Sequence, residues 1–195
     1  MENAAFALLL AAGRGKRAGG PKAWLDCGGT TLLERQVRFL RGRFPPLAVA
    51  VSVQPLWLDR CRALDGGVHW VPVDPDLPPL AALQSLLEVL HDGRWAFLHH
   101  VDMPVWEGEL FDALWARRAD AERGGSEAVV PVHGGRGGHP VLLAPAALAA
   151  LRALDPLAER LDRWLHGRPT LRVDVPQACV LENWNLPGNM RPFPG

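Results

Sequence analysis

Ala5-Phe6-Ala7-Leu8-Leu9-Leu10-Ala11-Ala12, followed at once by Gly13-Arg14-Gly15-Lys16-Arg17-Ala18-Gly19-Gly20-Pro21-Lys22, is the stretch from which the fold of this chain is read. The apolar run 5–11 shows no polar alternation, as expected of a strand covered on both faces. It is much too short to span a bilayer, and a basic loop follows it while Glu2 precedes it, so it reads as a buried strand and not as a leader or anchor. Glycines let backbone amides approach a polyphosphate closely, and a concave run of amides is itself an anion site. Arg14, Lys16, Arg17 and Lys22 add cations to the same loop. On composition alone a flexible, solvated basic loop is the minor alternative. Its place directly after an apolar strand favours a ligand site.

Outward from that stretch, strand-like and helix-like segments alternate. Leu33, Val37 and Leu40 recur at helical spacing; strands are expected over 47–53 and 68–73, with a short helix near 57–64 between them. A helix is expected over 80–90, a fourth strand over 95–101 and a helix over 107–118. Residues 128–132 and 140–144 flank the tip His133-Gly134-Gly135-Arg136-Gly137-Gly138, which indicates a hairpin or a long bent connection. Pro145 opens a helix, Pro156 separates it from another ending near Leu165, and a last strand runs over 170–175 into a tail rich in Pro and Asn. This order implies a three-layer α/β/α fold with a mostly parallel sheet, as one domain over 1–195 without internal repeat or linker. Ligands of such sheets bind at the carboxyl ends of the strands.

Bulk composition narrows the function. The 195 residues are 48% hydrophobic and 22% charged, an ordinary globular balance. Twenty-one Lys and Arg against 21 Asp and Glu give a formal net charge of zero. That excludes the basic excess of a nucleic-acid binder, so any phosphate handled here belongs to a small ligand met by local cations. Cys27, Cys61 and Cys179 are scattered and odd in number, which argues against a disulfide framework or structural zinc and fits a reducing cytoplasm. No membrane partner is expected.

Two familiar phosphate loops fail here. A P-loop needs glycine five residues before its Gly-Lys pair and Ser or Thr after the lysine, where this chain has Leu10 and Arg17. Gly13-x-Gly15-x-x-Ala18 formally meets the dinucleotide fingerprint, but Gly19-Gly20-Pro21 interrupts the helix it requires, and the acidic residue Glu34 falls inside an expected helix.

Two further strand ends carry chemistry. In Leu98-His99-His100-Val101-Asp102-Met103-Pro104, an aspartate at the end of a buried strand is placed to hold a metal, or else to cap a turn. Magnesium prefers one or two carboxylates plus substrate phosphates. His99 and His100 point to opposite faces, so they do not both face one metal; they are read as core or loop histidines, with substrate contact the lesser alternative. In Asn183-Trp184-Asn185-Leu186-Pro187-Gly188-Asn189, the asparagines cap turns or offer neutral oxygens to a metal or phosphate.

Taken together, these segments resemble a known family. Leu10-Ala11-Ala12-Gly13, Arg17 and Gly20-Pro21-Lys22 resemble the signature of sugar-phosphate-type nucleotidyltransferases, within the nucleotide-diphospho-sugar transferase superfamily and its Rossmann-like fold. Val101-Asp102-Met103-Pro104 resembles the magnesium-binding motif of the molybdenum-cofactor branch, the MobA and MocA proteins. Pro79-Leu80-Ala81-Ala82-Leu83 resembles its central nucleotide-contacting segment, and Gly138-His139-Pro140-Val141 and Asn183-x-Asn185-x-Pro187 are similar to its later motifs. Ala12-Gly13 is closer to the cytidylyl enzymes and the Asn-x-Asn tail to the guanylyl enzymes, while Leu186 and Gly188-Asn189 depart from both.

The resemblance implies attack by the terminal phosphate of molybdopterin, or of the assembled cofactor, on the α-phosphorus of GTP or CTP, with loss of pyrophosphate. Leu10, Ala11, Ala12, Gly13, Arg14, Gly15, Lys22, Pro79, Leu80 and Asp102 would contact the nucleotide. Arg17 and Lys22 would stabilise charge, and Asp102 would hold Mg2+ with Asn185. Molybdenum-cofactor assembly proteins are implied partners. Two other readings stand open: a different phosphorylated acceptor such as a sugar phosphate, and a nucleotide-binding assembly or regulatory protein without turnover.

Overall fold

A computed structural model describes residues 5–16, 19–90 and 93–184. Strand β1 (Ala5–Leu10) is buried along its whole length, the consequence of an uninterrupted apolar run. It pairs in parallel with β2 (Val49–Val53) on one side and β4 (Trp95–His100) on the other, and β2 pairs with β3 (His69–Pro72). Beyond β4 lie β7 (Val141–Leu143), antiparallel to it, then β5 (Ala128–His133), with the two-residue β6 (Arg136–Gly137) folded back on β5. Strand β8 (Thr170–Asp174) pairs in parallel with β5. The sheet is therefore mixed and mostly parallel, in the order β3-β2-β1-β4-β7-β5 with β8 also on β5.

Helix α1 (Leu32–Arg43) starts in a capping box: Glu34 N–H donates to Thr31 Oγ1 at 3.2 Å, and Thr31 N–H donates to Glu34 Oε2 at 2.5 Å. The backbone amide of Thr31 holds the Glu34 carboxyl below its ordinary range. Glu34 is thus spent on a helix start, which removes the acidic residue of the dinucleotide fingerprint. No long helix follows the glycine loop, only a three-residue 3-10 turn over Lys22–Trp24.

Helix α2 (Leu58–Leu64) packs on β3, while α3 (Pro79–Glu88) packs on β1 and β2 and on α6 (Pro145–Arg152). On the opposite face, α1 meets α4 (Gly108–Ala116) through the rings of Phe39 and Phe111, which also packs on Phe97 of β4. The single helix expected over 107–118 is instead α4 and a second helix, α5 (Arg118–Arg123). Arg117 stands between them at φ −90°, ψ 0°, where its N–H reaches Leu114 O three residues back instead of four. Helix α7 (Leu161–His166) precedes β8. Among the described residues no helix is long and apolar enough to cross a membrane.

The chain runs from β1 outward to β2 and β3, then returns to place β4 on the other side of β1. Strand order thus reverses at the β1–β4 boundary, and such a switch point opens a crevice at the strands' carboxyl ends. This is the feature of the fold that positions the site.

Candidate active site

Leu10 and His100 are register partners, and Val101 N–H donates to Leu10 O at 3.0 Å, so the loops leaving β1 and β4 emerge side by side. Asp102 lies two residues past β4. Its Oδ2 accepts from Lys22 Nζ at 2.5 Å, with the two side chains only 17% and 16% exposed. Both line a cleft of 530 Å³.

The Asp102 turn is fixed by backbone contacts. Gln36 Nε2 donates to Val101 O at 3.3 Å and Met103 O at 2.9 Å, and Trp184 N–H donates to Asp102 O at 2.7 Å. Trp184 is buried and packs edge-on against Trp106, their ring centroids 5.6 Å apart. The start of the Asn-rich segment is thereby moored on the Asp102 turn. Asn185, Leu186, Gly188 and Asn189 lie outside the described residues.

The glycine loop is shaped by its own backbone. Gly15 adopts φ +59°, its carbonyl accepts from Gly20 N–H at 3.3 Å, and a Cβ there would collide with the Gly20 carbonyl, so only glycine closes this turn. Leu10, Ala12, Gly13, Arg14, Gly15 and Lys16 form one wall of the cleft. Ala11 is buried behind it, and its N–H is taken by Ser52 Oγ at 3.0 Å. Arg14 sits at the exposed rim, forked onto the Asp76 carboxylate with Nε to Oδ1 at 2.5 Å. Hydrogen bonding within this pair raises the Arg14 pKa and lowers that of Asp76. Arg17 and Ala18 lie outside the described residues.

Asp74, Asp76, Leu77, Pro79 and Ala82 form the facing wall. Of the expected nucleotide segment 79–83, Pro79 lines this cleft, whereas Leu80 lines a second, larger cavity of 710 Å³. His100 and Pro79 border both. His99 points to the other face, fully buried beside Phe111, and burial pushes its pKa down to about 3. The histidines therefore do face opposite ways, and of the two it is His100 that lines the cavities.

Among the described residues three cations (Arg14, Lys16, Lys22) and three carboxylates (Asp74, Asp76, Asp102) line the cleft, so these bring no net charge of their own to offset a triphosphate. A divalent cation would supply that offset. Among the described residues no cluster of three or more His, Cys, Asp or Glu forms a self-sufficient metal cage. Asp102, a hard carboxylate that already holds the Lys22 cation, fits magnesium, which takes most of its ligands from phosphates and water.

Ser52 and Gln36 were not singled out from sequence. Each is a fully buried polar residue in an otherwise apolar pattern, Ser52 in Val49–Val53 and Gln36 on the core face of α1 beside Leu33, Val37 and Leu40. That anomaly was the available signal, since buried polar groups exist where they have partners to satisfy.

Residues 7–173 match the model of the MobA-like NTP transferase domain. No curated protein matches the chain. Among solved structures, Rv0371c from Mycobacterium tuberculosis H37Rv is similar at 22% identity and TM-score 0.73, covering 93% of each chain. Its complex with manganese is similar at 19% identity and TM-score 0.69, over 94% of this chain and 95% of that one. Molybdopterin-guanine dinucleotide biosynthesis protein A from Archaeoglobus fulgidus is 16% identical with TM-score 0.69, over 97% of this chain and 95% of that one. At these identities the likeness is one of fold.

Proposed function

The chain belongs to the MobA-like NTP transferase family, and from that membership we propose that it transfers GMP from GTP to the terminal phosphate of molybdopterin or of the assembled molybdenum cofactor. The observation that carries the reading is the Lys22–Asp102 pair at the mouth of a glycine-walled cleft on the sheet's switch point.

In the reaction, an acceptor phosphate oxygen bonds to the α-phosphorus while the bond to the β-phosphate's bridging oxygen breaks and pyrophosphate leaves. The acceptor phosphate is already ionised, so no general base is needed, and the protein's task is alignment and charge stabilisation. Gly13, Arg14, Gly15 and Lys16 flank the phosphates; Lys22 and Arg17 meet the charge gathering on pyrophosphate. Asp102, with Asn185 as a neutral oxygen ligand, would hold Mg2+, which would supply charge neutralisation and orientation of the phosphates. The manganese complex of Rv0371c supports a divalent ion in this fold.

Support for GTP comes from the guanylyl-like Pro79-Leu80-Ala81 segment and the Asn183-x-Asn185 pattern. Ala12 supports CTP as the alternative nucleotide. Pyrophosphate release with GTP or CTP, each with molybdopterin or a sugar phosphate, tests the reading. Release with GTP and molybdopterin is expected. Release only with a sugar phosphate displaces the acceptor, and binding of nucleotide without release for any pair makes the protein a non-catalytic nucleotide binder.

A further inference from the structure

The sheet ends at β8, and hydrogen-bond register shows which backbone groups the fold leaves over there. Val175 N–H donates to Val132 O at 2.8 Å on one side of β5, while Gly138 N–H donates to Pro131 O at 2.9 Å on the other. Amide directions alternate along a strand, so Thr170, Arg172 and Asp174 turn their N–H and C=O groups away from β5. Among the described residues no strand pairs with that outer side. The opposite margin, β3, is closed by a proline. Val73 N–H donates to Val53 O at 2.8 Å, which puts Pro72 on the outward side, where it has no N–H to offer. The three outward positions of β8 are all able to donate, and the flanking Pro169 and Pro176 stand outside the strand.

Side chains alternate along this margin too. Arg172 and Asp174 are exposed on one face of β8, while Val173 is buried and Leu171 half-buried on the other. Arg172 donates to the neutral Gly135 carbonyl at 2.9 Å, and among the described residues neither Arg172 nor Asp174 forms an ion pair. A charged edge strand ordinarily repels a second copy of itself, because like charge meets like. The spacing here does the reverse. Two copies of β8 that pair antiparallel through their outward amides have three central registers. Centring on Arg172 sets Arg172 against Arg172, and centring on Asp174 sets Asp174 against Asp174. Centring on Val173 sets Arg172 of each copy directly opposite Asp174 of the other. The same register places Val173 opposite Val173 and Leu171 opposite Val175 on the other face. Every charged pair is then unlike, and every apolar residue meets an apolar one.

We propose that the outer edge of β8 is a self-association surface, through which a second copy of this chain extends the sheet about a two-fold axis at Val173. A two-fold interface uses one patch twice, so a single Arg172–Asp174 match is made in both directions. In each of the two equivalent pairs Arg172 and Asp174 exchange both amide hydrogen bonds, roughly four in all, and the side-chain ion pairs lie over them on one face. A strand of five residues buries less than the ~1,200 Å² from which stable interfaces start, so the dimer is weak and depends on concentration. The proposal is independent of the transferase reading, since neither Arg172 nor Asp174 lines the cleft of Lys22 and Asp102.

Sedimentation velocity of the full chain tests it, over about 5 to 500 μM, the span in which so small an interface associates. Wild type is expected to pass from monomer towards dimer across that range. Arg172→Asp or Asp174→Arg turns both ion pairs into like-charge pairs, and each should weaken dimerisation about tenfold or more. The double reversal should restore it. An equimolar mixture of the two single variants should also dimerise, although neither does alone, because one copy then offers two acids and the other two bases at the facing positions. Circular dichroism melts establish that each variant folds. Arg172→Gln and Asp174→Asn, close in size to the originals, serve where a reversal does not fold, and each should weaken the dimer about threefold or more. A wild-type chain that stays monomeric at the top of the range overturns the proposal. So does a dimer indifferent to charge at both positions, which would place the interface elsewhere, or a mixture of folded single variants that stays monomeric.

Discussion

Lys22 Nζ and Asp102 Oδ2 meet at 2.5 Å although eighty positions separate the two residues in the chain. The contact exists because β1 and β4 are neighbours in parallel register, and it brings the end of the glycine loop onto the turn after β4. Partial burial makes the pair more than a surface ion pair, whose worth is close to nothing. A cation already occupies the carboxylate that the proposed mechanism gives to the metal.

Asp102→Ala should therefore abolish turnover while leaving the fold intact. Metal charge stabilisation is worth several kcal/mol and each ~1.4 kcal/mol is tenfold in rate, so the loss should be on the order of a hundredfold or more. The turn itself is held through the backbone carbonyls of Val101, Asp102 and Met103, which the substitution keeps. Pyrophosphate release beside a circular dichroism melt checks both halves. Near-normal turnover in a folded variant would take Asp102 out of the reaction.

Lys22→Ala should raise the triphosphate KM and lower kcat together, because a cation on the phosphates acts in both ground and transition states. Arg17→Ala should behave alike. Steady-state kinetics over a range of triphosphate concentrations reads the split. Two variants that used nucleotide like wild type would reduce the glycine-rich stretch to a solvated loop.

Much of this site was legible because its chemistry is local in sequence. The apolar run 5–11, the glycine break after it, and an aspartate at the end of a second apolar run each announce themselves within a few residues. Other parts come from register and packing. Ser52 reaches Ala11 and Gln36 reaches Val101 only once β1, β2 and α1 are assembled. The place of β8 at the sheet's margin depends on β7 running antiparallel between β4 and β5, which alternation of residues within any one strand leaves unspecified. The break at Arg117 was hidden because Glu107 to Arg118 keeps helical periodicity through it.

Stability should fall on acidification, with His99 a main cause. Burial depresses its folded pKa to about 3, so the unfolded chain binds the proton first as pH drops. The histidine's contribution is present above its ordinary pKa of ~6.5 and is lost progressively below it; at about pH 5 this amounts to roughly 2 kcal/mol. His139, also pushed down to about 3 by burial, adds in the same direction. Thermal melts between about pH 7 and 5 should show a falling Tm, and His99→Phe, which keeps a ring beside Phe111, should flatten that slope. An unchanged slope in His99→Phe would show that other groups govern the acid limb.

Nucleotide choice turns on a single methyl group and on contacts far from it. Ala12 is 5% exposed in the wall of the cleft, beside the amides of Gly13 and Arg14, and glycine in its place would widen that wall by one methyl. A narrower wall favours a pyrimidine over a purine, which is the argument for CTP. One methyl group changes discrimination by only ~1–3 kcal/mol, however, so position 12 does not decide the base alone. Pro79 and Ala82 face the same cleft from the other side, and their segment resembles the guanylyl enzymes, as does Asn183-x-Asn185. GTP is therefore the expected nucleotide. Ala12→Gly should improve GTP use modestly or leave it unchanged, and should create no new activity. Calorimetric titration with GTP and with CTP in the presence of magnesium decides between them: tighter binding of GTP is expected, and clearly tighter binding of CTP would assign the base to the methyl at position 12.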